Sequence, residues 1–259
     1  MTAELFDMGA RTSRRDRAFR QGPVLFVHER ALDDIAERLA EVSRSFASAL
    51  VIGTPDPSWR EKLAHLPEQV VAIDPGAEVA RAAGARQLRE DRAEFAPGSF
   101  DLCIAIGTLD TIDDLPGVLK RIRSWLRPDG LLIGVIAGGD TLPRLRGAMR
   151  AADIAVGAAS PHVHPRIEAS ALGHLLSAAG FVMPVVDVDR VRVAYPSLSG
   201  LVADLRGMGA TNVLRSRSRW LSRTAFGAAQ AHFLAAGQDC RTVETFELLH
   251  FAAWTPNHG

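Results

Sequence analysis

Cysteine is nearly missing from this chain: only Cys103 and Cys240 occur in 259 residues, far apart and in apolar, strand-like surroundings. That excludes a disulfide framework and a cysteine-based zinc site, and it points to a reducing compartment. Net charge is missing too, because 30 basic residues meet 30 acidic ones. The whole molecule therefore has no field that would gather nucleic acid or anionic lipid, and neither is expected as a partner. No apolar run approaches the ~20 residues that cross a bilayer, and the N-terminus has no apolar signal core, so a cytoplasmic protein without a transmembrane segment is expected. G-x-S-x-G, P-loop, H-E-x-x-H, C-x-x-C and G-x-G-x-x-G motifs are absent. Hydrolase, NTPase, zinc-protease, thioredoxin and hydride-transfer chemistry thus lack their required residues.

What is present reads as a globular chain with 47% hydrophobic and 23% charged residues, enough to bury a sizeable core. Two arginine clusters stand out, Arg11, Arg14, Arg15, Arg17 and Arg20, and Arg215, Arg217, Arg219 and Arg223. Asp7 and Asp16 interrupt the first, which favours solvated faces or salt-bridge partners over a binding patch.

Leu32, Ile35, Leu39 and Val42 form one apolar stripe on a helix over 29–42. The residues before it, 1–28, read as an arm or lid. From residue 49 short β-rich runs alternate with helical patterns, the signal for a parallel sheet covered on both faces. The runs are Ala49–Gly53, Val70–Asp74, a weaker Ala85–Asp91, Phe100–Leu109 and Leu131–Ala137. A helix is predicted over 113–126, ended by turn chemistry at Pro128-Asp129-Gly130, and others over 141–155, 168–179, 198–208 and 224–236. Gly180 suits a helix C-cap. The β-rich stretches Phe181–Tyr195 and Thr242–Trp254 read as an antiparallel pair closing one sheet edge. The expected fold is α/β, a doubly wound, mostly parallel seven-stranded Rossmann-like sheet in a single domain. Residues 1–44 form an N-terminal helical arm, 45–140 a ligand-binding core, and 141–259 the substrate or partner side.

In such a sheet ligands bind beyond the carboxyl ends of the strands, where the strand order reverses. Asp74 ends the second run at a spacing from Gly53 that suits an acceptor for ribose hydroxyls; a turn with Pro75-Gly76 explains it equally well. A nucleotide-type loop wants glycines after the first strand, so that backbone N–H groups approach the ligand. This chain instead has Gly53-Thr54-Pro55-Asp56-Pro57. Asp56 as an N-cap and Pro57 as the first helical residue account for that loop without a ligand.

The element order, this loop, Asp74, Phe100-Asp101 and LRPDGLLIGV (126–135) resemble a class I S-adenosylmethionine-dependent methyltransferase over about residues 45–140. GGDTLPRLR (138–146), SPHVHP (160–165), LGHLLSAAGF (172–181), VDVDRVRVAYPS (186–197) and LVADLRGMGATN (201–212) look like the subgroup of methyltransferase-fold complex I assembly factors with arginine-hydroxylase activity. More distant relatives in the resemblance methylate acyl-carrier-bound malonyl groups. The resemblance implies S-adenosylmethionine as cofactor, with Gly53, Asp56, Asp74, Asp91, Arg92 and Ile106 around it, and a protein partner in assembly work. It assigns no catalytic residue. The departures count against the cofactor. Pro55 and Pro57 stand where relatives keep glycines, and proline has a fixed φ and no N–H. Asp56 adds negative charge near the expected place of the methionine carboxylate, and Asp110-Thr111 stands where relatives commonly have His-Trp. Three readings stay open: methyl transfer to a small-molecule or acyl-carrier substrate, action on a protein partner, and a non-catalytic binding module.

On the substrate or partner side the candidates are Asp110, Asp140, His162, His164 and Tyr195. Asp140 either faces a ligand or caps the helix after Thr141. His162 and His164 have metal-ligand spacing without a third ligand, so no metal is expected, and their segment reads as a rigid loop or as turn packing. Tyr195, before Pro196, either reaches a pocket mouth or sits half-buried in a strand.

Overall fold

Nearly unbroken apolar runs belong to strands buried on both faces, and the computed structural model places them so. It describes residues 4–63, 66–217 and 220–257; Arg219 of the second arginine cluster lies outside the described residues. Strands β1 (Ser48–Ile52), β2 (Gln69–Asp74), β3 (Arg86–Gln87), β4 (Phe100–Ile106), β5 (Leu126–Ala137), β6 (Val182–Tyr195) and β7 (Thr242–Trp254) form one sheet in the order β3-β2-β1-β4-β5-β7-β6. β1 to β5 pair in parallel, and β7 runs antiparallel to β5 with Leu131 opposite Trp254. The order reverses between β1 and β4.

The described residues group into two compact units. One holds the described residues of 25–138, 167–189 and 248–257, and with them the parallel strands. Its helices are α2 (Phe26–Glu41), α3 (Trp59–Lys62), α4 (Ala77–Ala82), α5 (Leu115–Trp125) and α7 (Ala169–Ala178). Val118, Leu119, Ile122 and Trp125 of α5 and Leu172 and Leu176 of α7 are buried in one cluster with Leu50, Ile52 and Cys103. The other unit holds 139–166, 190–247 and the N-terminal residues through Val24. Its helices are α1 (Met8–Gln21), α6 (Pro143–Val156), α8 (Leu198–Gly207) and α9 (Arg223–Ala235). Gly147 lets α6 approach α9, since a β-carbon there would lie 3.0 Å from His232 Nε2. No helix among the described residues is long and apolar enough to cross a membrane.

Several expectations are corrected. The run 85–91 shortens to a two-residue edge strand with exposed Arg86 and Gln87, and Glu90–Arg92 turn into a 3-10 helix that buries Glu90. The fourth strand stops at Ile106, and Leu109 begins another 3-10 turn. Pro128-Asp129-Gly130 keeps its turn character, with Asp129 at φ 58°, but lies inside β5, where Gly130 N–H donates to Thr255 Oγ1 at 2.7 Å. The first arginine cluster is not simply solvated: Arg11 and Arg15 are buried on α1, and Arg14 donates to the Asn212 carbonyl. In the second, Arg217 pairs with Asp7 at 2.9 Å and Arg215 with Glu4, as salt-bridge partners.

Asp101 ties the start of the sheet together. Its carboxylate accepts from Ala47 N–H (2.9 Å) and Ser48 N–H (3.1 Å) and pairs with Arg127 (2.9 Å). Burial works to raise its pKa, but the Arg127 guanidinium and the two amides outweigh that and hold it below the usual carboxylate value. Because the folded pKa is depressed, this stabilisation is fully present above the unfolded value of ~3.9 and is lost as pH falls through the folded one. Urea unfolding between about pH 6 and pH 3 is expected to show a shallower acid loss for Asp101→Asn than for the parent chain. Parallel acid limbs would refute the assignment.

Candidate functional site

The crevice at the strand-order reversal is built by the ends of β1, β2 and β4, all in the first-described unit. Gly53 leaves β1 at φ 86°, and a β-carbon there would overlap the Ile106 carbonyl oxygen and lie 2.7 Å from the Thr108 methyl group. Only glycine lets the two strand ends approach so closely. The turn that follows is buried: Thr54 and Asp74 are fully buried, and Asp56 nearly so.

Asp74 occupies the place expected for a ribose acceptor, yet its carboxylate is engaged by protein. Oδ2 accepts from Thr54 N–H at 2.8 Å and lies 3.4 Å from Thr54 Oγ1, while Oδ1 accepts from Gly76 N–H at 2.8 Å. The turn with Pro75-Gly76 is thus the arrangement present. Asp56 Oδ1 accepts from Ser58 N–H (2.9 Å) and Ser58 Oγ (2.8 Å), and Lys62 Nζ stands 3.4 Å from its other oxygen. Burial pushes the Asp56 pKa up, but the Ser58 and Lys62 contacts prevail and lower it. The α-helix starts at Trp59, with Ser58 as its cap residue, so Asp56 caps the preceding turn and Pro57 is not the first helical residue.

Ile106 is buried at the end of β4 and contributes its carbonyl against Gly53. Asp91 lies in the 3-10 turn after β3, its Oδ1 2.9 Å from Arg89 Nε. Arg92 projects outward, 74% exposed, with Nε 4.0 Å from Asp91. Asp110 is half-buried in the 3-10 turn after β4.

Four residues near this crevice gave no recognisable signal in the sequence. His28 of α2 covers Gly107, where a β-carbon would meet its imidazole at 3.2 Å. Glu29, also of α2, stands 3.4 Å from Lys62 Nζ, so Lys62 bridges Glu29 and Asp56. Trp59 is fully buried and donates from Nε1 to the Ala83 carbonyl at 3.1 Å, which anchors the start of α3. An acid, a lysine and a tryptophan this far apart acquire meaning only when folded together.

The remaining candidates lie in the other unit. Asp140 does not cap α6: its carboxylate is 70% exposed and 3.3 Å from Arg190, which also pairs with buried Glu247 at 2.8 Å. The helix N-terminus is capped instead by Glu244 of β7, accepting from Leu145 N–H (2.8 Å) and Arg144 N–H (3.2 Å). Burial raises the Glu244 pKa. His162 and His164 do not converge. His162 Nε2 is 2.8 Å from Asp153 Oδ1, whereas buried His164 accepts from Val213 N–H through Nε2 at 2.8 Å and packs edge-on against Phe6. Both line a cavity of about 480 Å³. Among the described residues no group of three or more His, Cys, Asp or Glu side chains is placed to hold a metal. Tyr195 is buried rather than at a pocket mouth and donates to Asp204 at 2.8 Å; burial and then Asp204 push its pKa far upward.

Residues 25–184 match the family model described as a methyltransferase domain. The chain is 32% identical over 243 residues to the mitochondrial arginine-hydroxylase NDUFAF5 of Danio rerio, covering 90% of this chain and 76% of that protein. It is also 37% identical over 163 residues to the malonyl-[acyl-carrier protein] O-methyltransferase of Xylella fastidiosa, covering 62% of this chain and 54% of that protein. Among solved structures the YcgJ protein of Bacillus subtilis superposes with a TM-score of 0.57 at 11% identity, over 89% of this chain and 99% of that one. That likeness is one of fold.

Proposed function

This chain belongs to the methyltransferase-domain family, and on that footing we propose that it serves as a partner-binding member whose cofactor crevice is filled by its own side chains, doing assembly work like that implied by its arginine-hydroxylase relatives. The observation that carries this reading is the Asp74 carboxylate, fully buried and engaged at both oxygens by Thr54 and Gly76 amides. S-adenosylmethionine needs a free acceptor at the end of β2 and free amides in the loop after β1. Here each oxygen of that acceptor already receives an amide hydrogen in a fully buried turn, and Pro55 and Pro57 have no amide hydrogens to offer. Buried Asp56 and its half-buried Lys62 counter-ion add a charged pair beside the loop where a zwitterionic ligand end would need room. On this reading the residues present do not fit the cofactor. Cytoplasmic location is part of the same proposal and rests on the two cysteines, both free thiols.

A melting scan with S-adenosylmethionine tests the reading. A ligand at 100 times its dissociation constant stabilises a fold by about 2.7 kcal/mol, so a working site gives an unmistakable upward shift. No shift is expected for this chain. A saturable shift would overturn the closed-crevice reading in favour of methyl transfer, for which the 37% identity to the acyl-carrier methyltransferase is the specific support.

A further inference from the structure

The unit made of α1, α6, α8 and α9 carries an apolar groove of its own. Two cavities, of about 480 and 640 Å³, share Met149, His162 and Val163 and together follow α6. Leu145 and Met149 of α6 and Leu198, Val202 and Leu205 of α8 supply the apolar lining. Its rim is exposed to a degree that single surface hydrophobics do not explain: Trp220 is 85% exposed, Leu221 41% and Phe226 39%, and Ile154 at the other end 75%.

The charge around the groove is one-sided. Arg150 lines one cavity and Arg206 the other, and neither has an acidic partner among the described residues. Arg223, two residues beyond Leu221, has none either. The acidic side chain in the lining, Asp153, is occupied by His162 at 2.8 Å. The wall is already held in shape: Asn212 Nδ2 donates to the Pro161 carbonyl at 2.7 Å, and Val213 N–H to His164. A preformed apolar trough with uncompensated arginines at its margins suits an apolar stripe flanked by carboxylates.

We propose that this groove docks the apolar face of an acidic amphipathic helix of a protein partner, with Trp220, Leu221 and Phe226 closing over the stripe and Arg150 and Arg206 meeting the flanking carboxylates. The inference rests on the partner-binding reading above and names the chemistry of the partner. α6 has 14 residues and therefore runs about 21 Å, so a helix of roughly four turns matches it. An alkyl chain fits less well, since a thin chain leaves the exposed rim wet on one side. A second copy is disfavoured because a two-fold contact sets the patch against itself, arginine rim to arginine rim.

Two synthetic helical peptides of about four turns, sharing one Leu/Phe stripe and flanked by glutamates in one and lysines in the other, are titrated into the full chain while tryptophan emission is read. Of the other tryptophans, Trp59 and Trp125 are buried and Trp254 is half-buried in β7 and absent from the cavity linings, so a blue shift that disappears in Trp220→Phe reports the groove. The glutamate peptide is expected to bind about tenfold or more tightly than the lysine peptide, with the margin vanishing near 1 M salt. The double variant R150E/R206E is expected to reverse the preference without changing the melting temperature, and Trp220→Ala to weaken both peptides. Equal affinity of the two peptides, preference for lysine, or binding by neither overturns the proposal. So does a Trp220 shift given by sodium laurate and not by the glutamate peptide. A melting shift with S-adenosylmethionine would sink the closed crevice and leave this groove standing, so the two failures are distinct.

Discussion

Gly53→Ala is expected to destabilise the fold by about 3 kcal/mol or more, the largest effect of any single methyl group near the crevice. Two costs add. A non-glycine residue at φ 86° carries roughly 1–3 kcal/mol of backbone strain, and the new methyl overlaps the Ile106 carbonyl oxygen, which belongs to a buried strand that cannot retreat. For a chain of this size each kcal/mol moves the melting temperature by about 2–4 °C, so a drop of roughly 6–12 °C is expected. Gly84→Ala is the control: its φ is 63°, but nothing lies within 4 Å of the added carbon, so only the strain is felt. The difference between the two variants isolates the close approach of β1 and β4. Equal losses would mean that the strand ends are not in contact.

Asp74→Asn is expected to cost about 2–4 kcal/mol of stability, because two buried amides lose charge-assisted acceptors and one of them then faces an NH2 group. Thr54 and Gly76 sit 2.8 Å from the carboxylate, and neither amide has water to fall back on in a fully buried turn. Chemical denaturation reads this directly. In a chain whose β2 carboxylate stays free for a ribose, the same substitution changes ligand affinity and leaves stability within about 0.5 kcal/mol. A neutral Asp74→Asn result would therefore reopen the crevice to the cofactor. The two substitutions lie on either side of the same turn and share neighbours, so their effects are not expected to add.

The strands that place the crevice were legible because burial on both faces forces an apolar run, and β1, β2, β4 and β5 each show one. β3 was legible only as a weaker and longer run, because an edge strand is not buried on both faces and its polar Arg86 and Gln87 give no apolar signal for where it stops. The helix stripes on α2 and α5 were legible from their spacing. The capping of α6 was not, since Glu244 reaches it from another strand about 100 positions away. His162 and His164 looked like a pair by spacing, but the fold turns one toward Asp153 and the other toward Val213.

Local pattern was sufficient for the main succession of strands and longer helices, because hydrophobic periodicity is a property of neighbouring residues and survives without knowledge of their distant contacts; the short α3 and α4 escaped it, and the family was legible from motif resemblance such as LRPDGLLIGV (126–135). It also exposed the two prolines where amides were wanted. The fate of each polar group was decided only in three dimensions. A buried carboxylate must find donors, and whether Asp74 and Asp56 found them in a ligand or in Thr54, Gly76, Ser58 and Lys62 depended on which segments came together around the β1 and β2 ends. Desolvation makes that choice expensive to leave open, and only the folded chain resolves it.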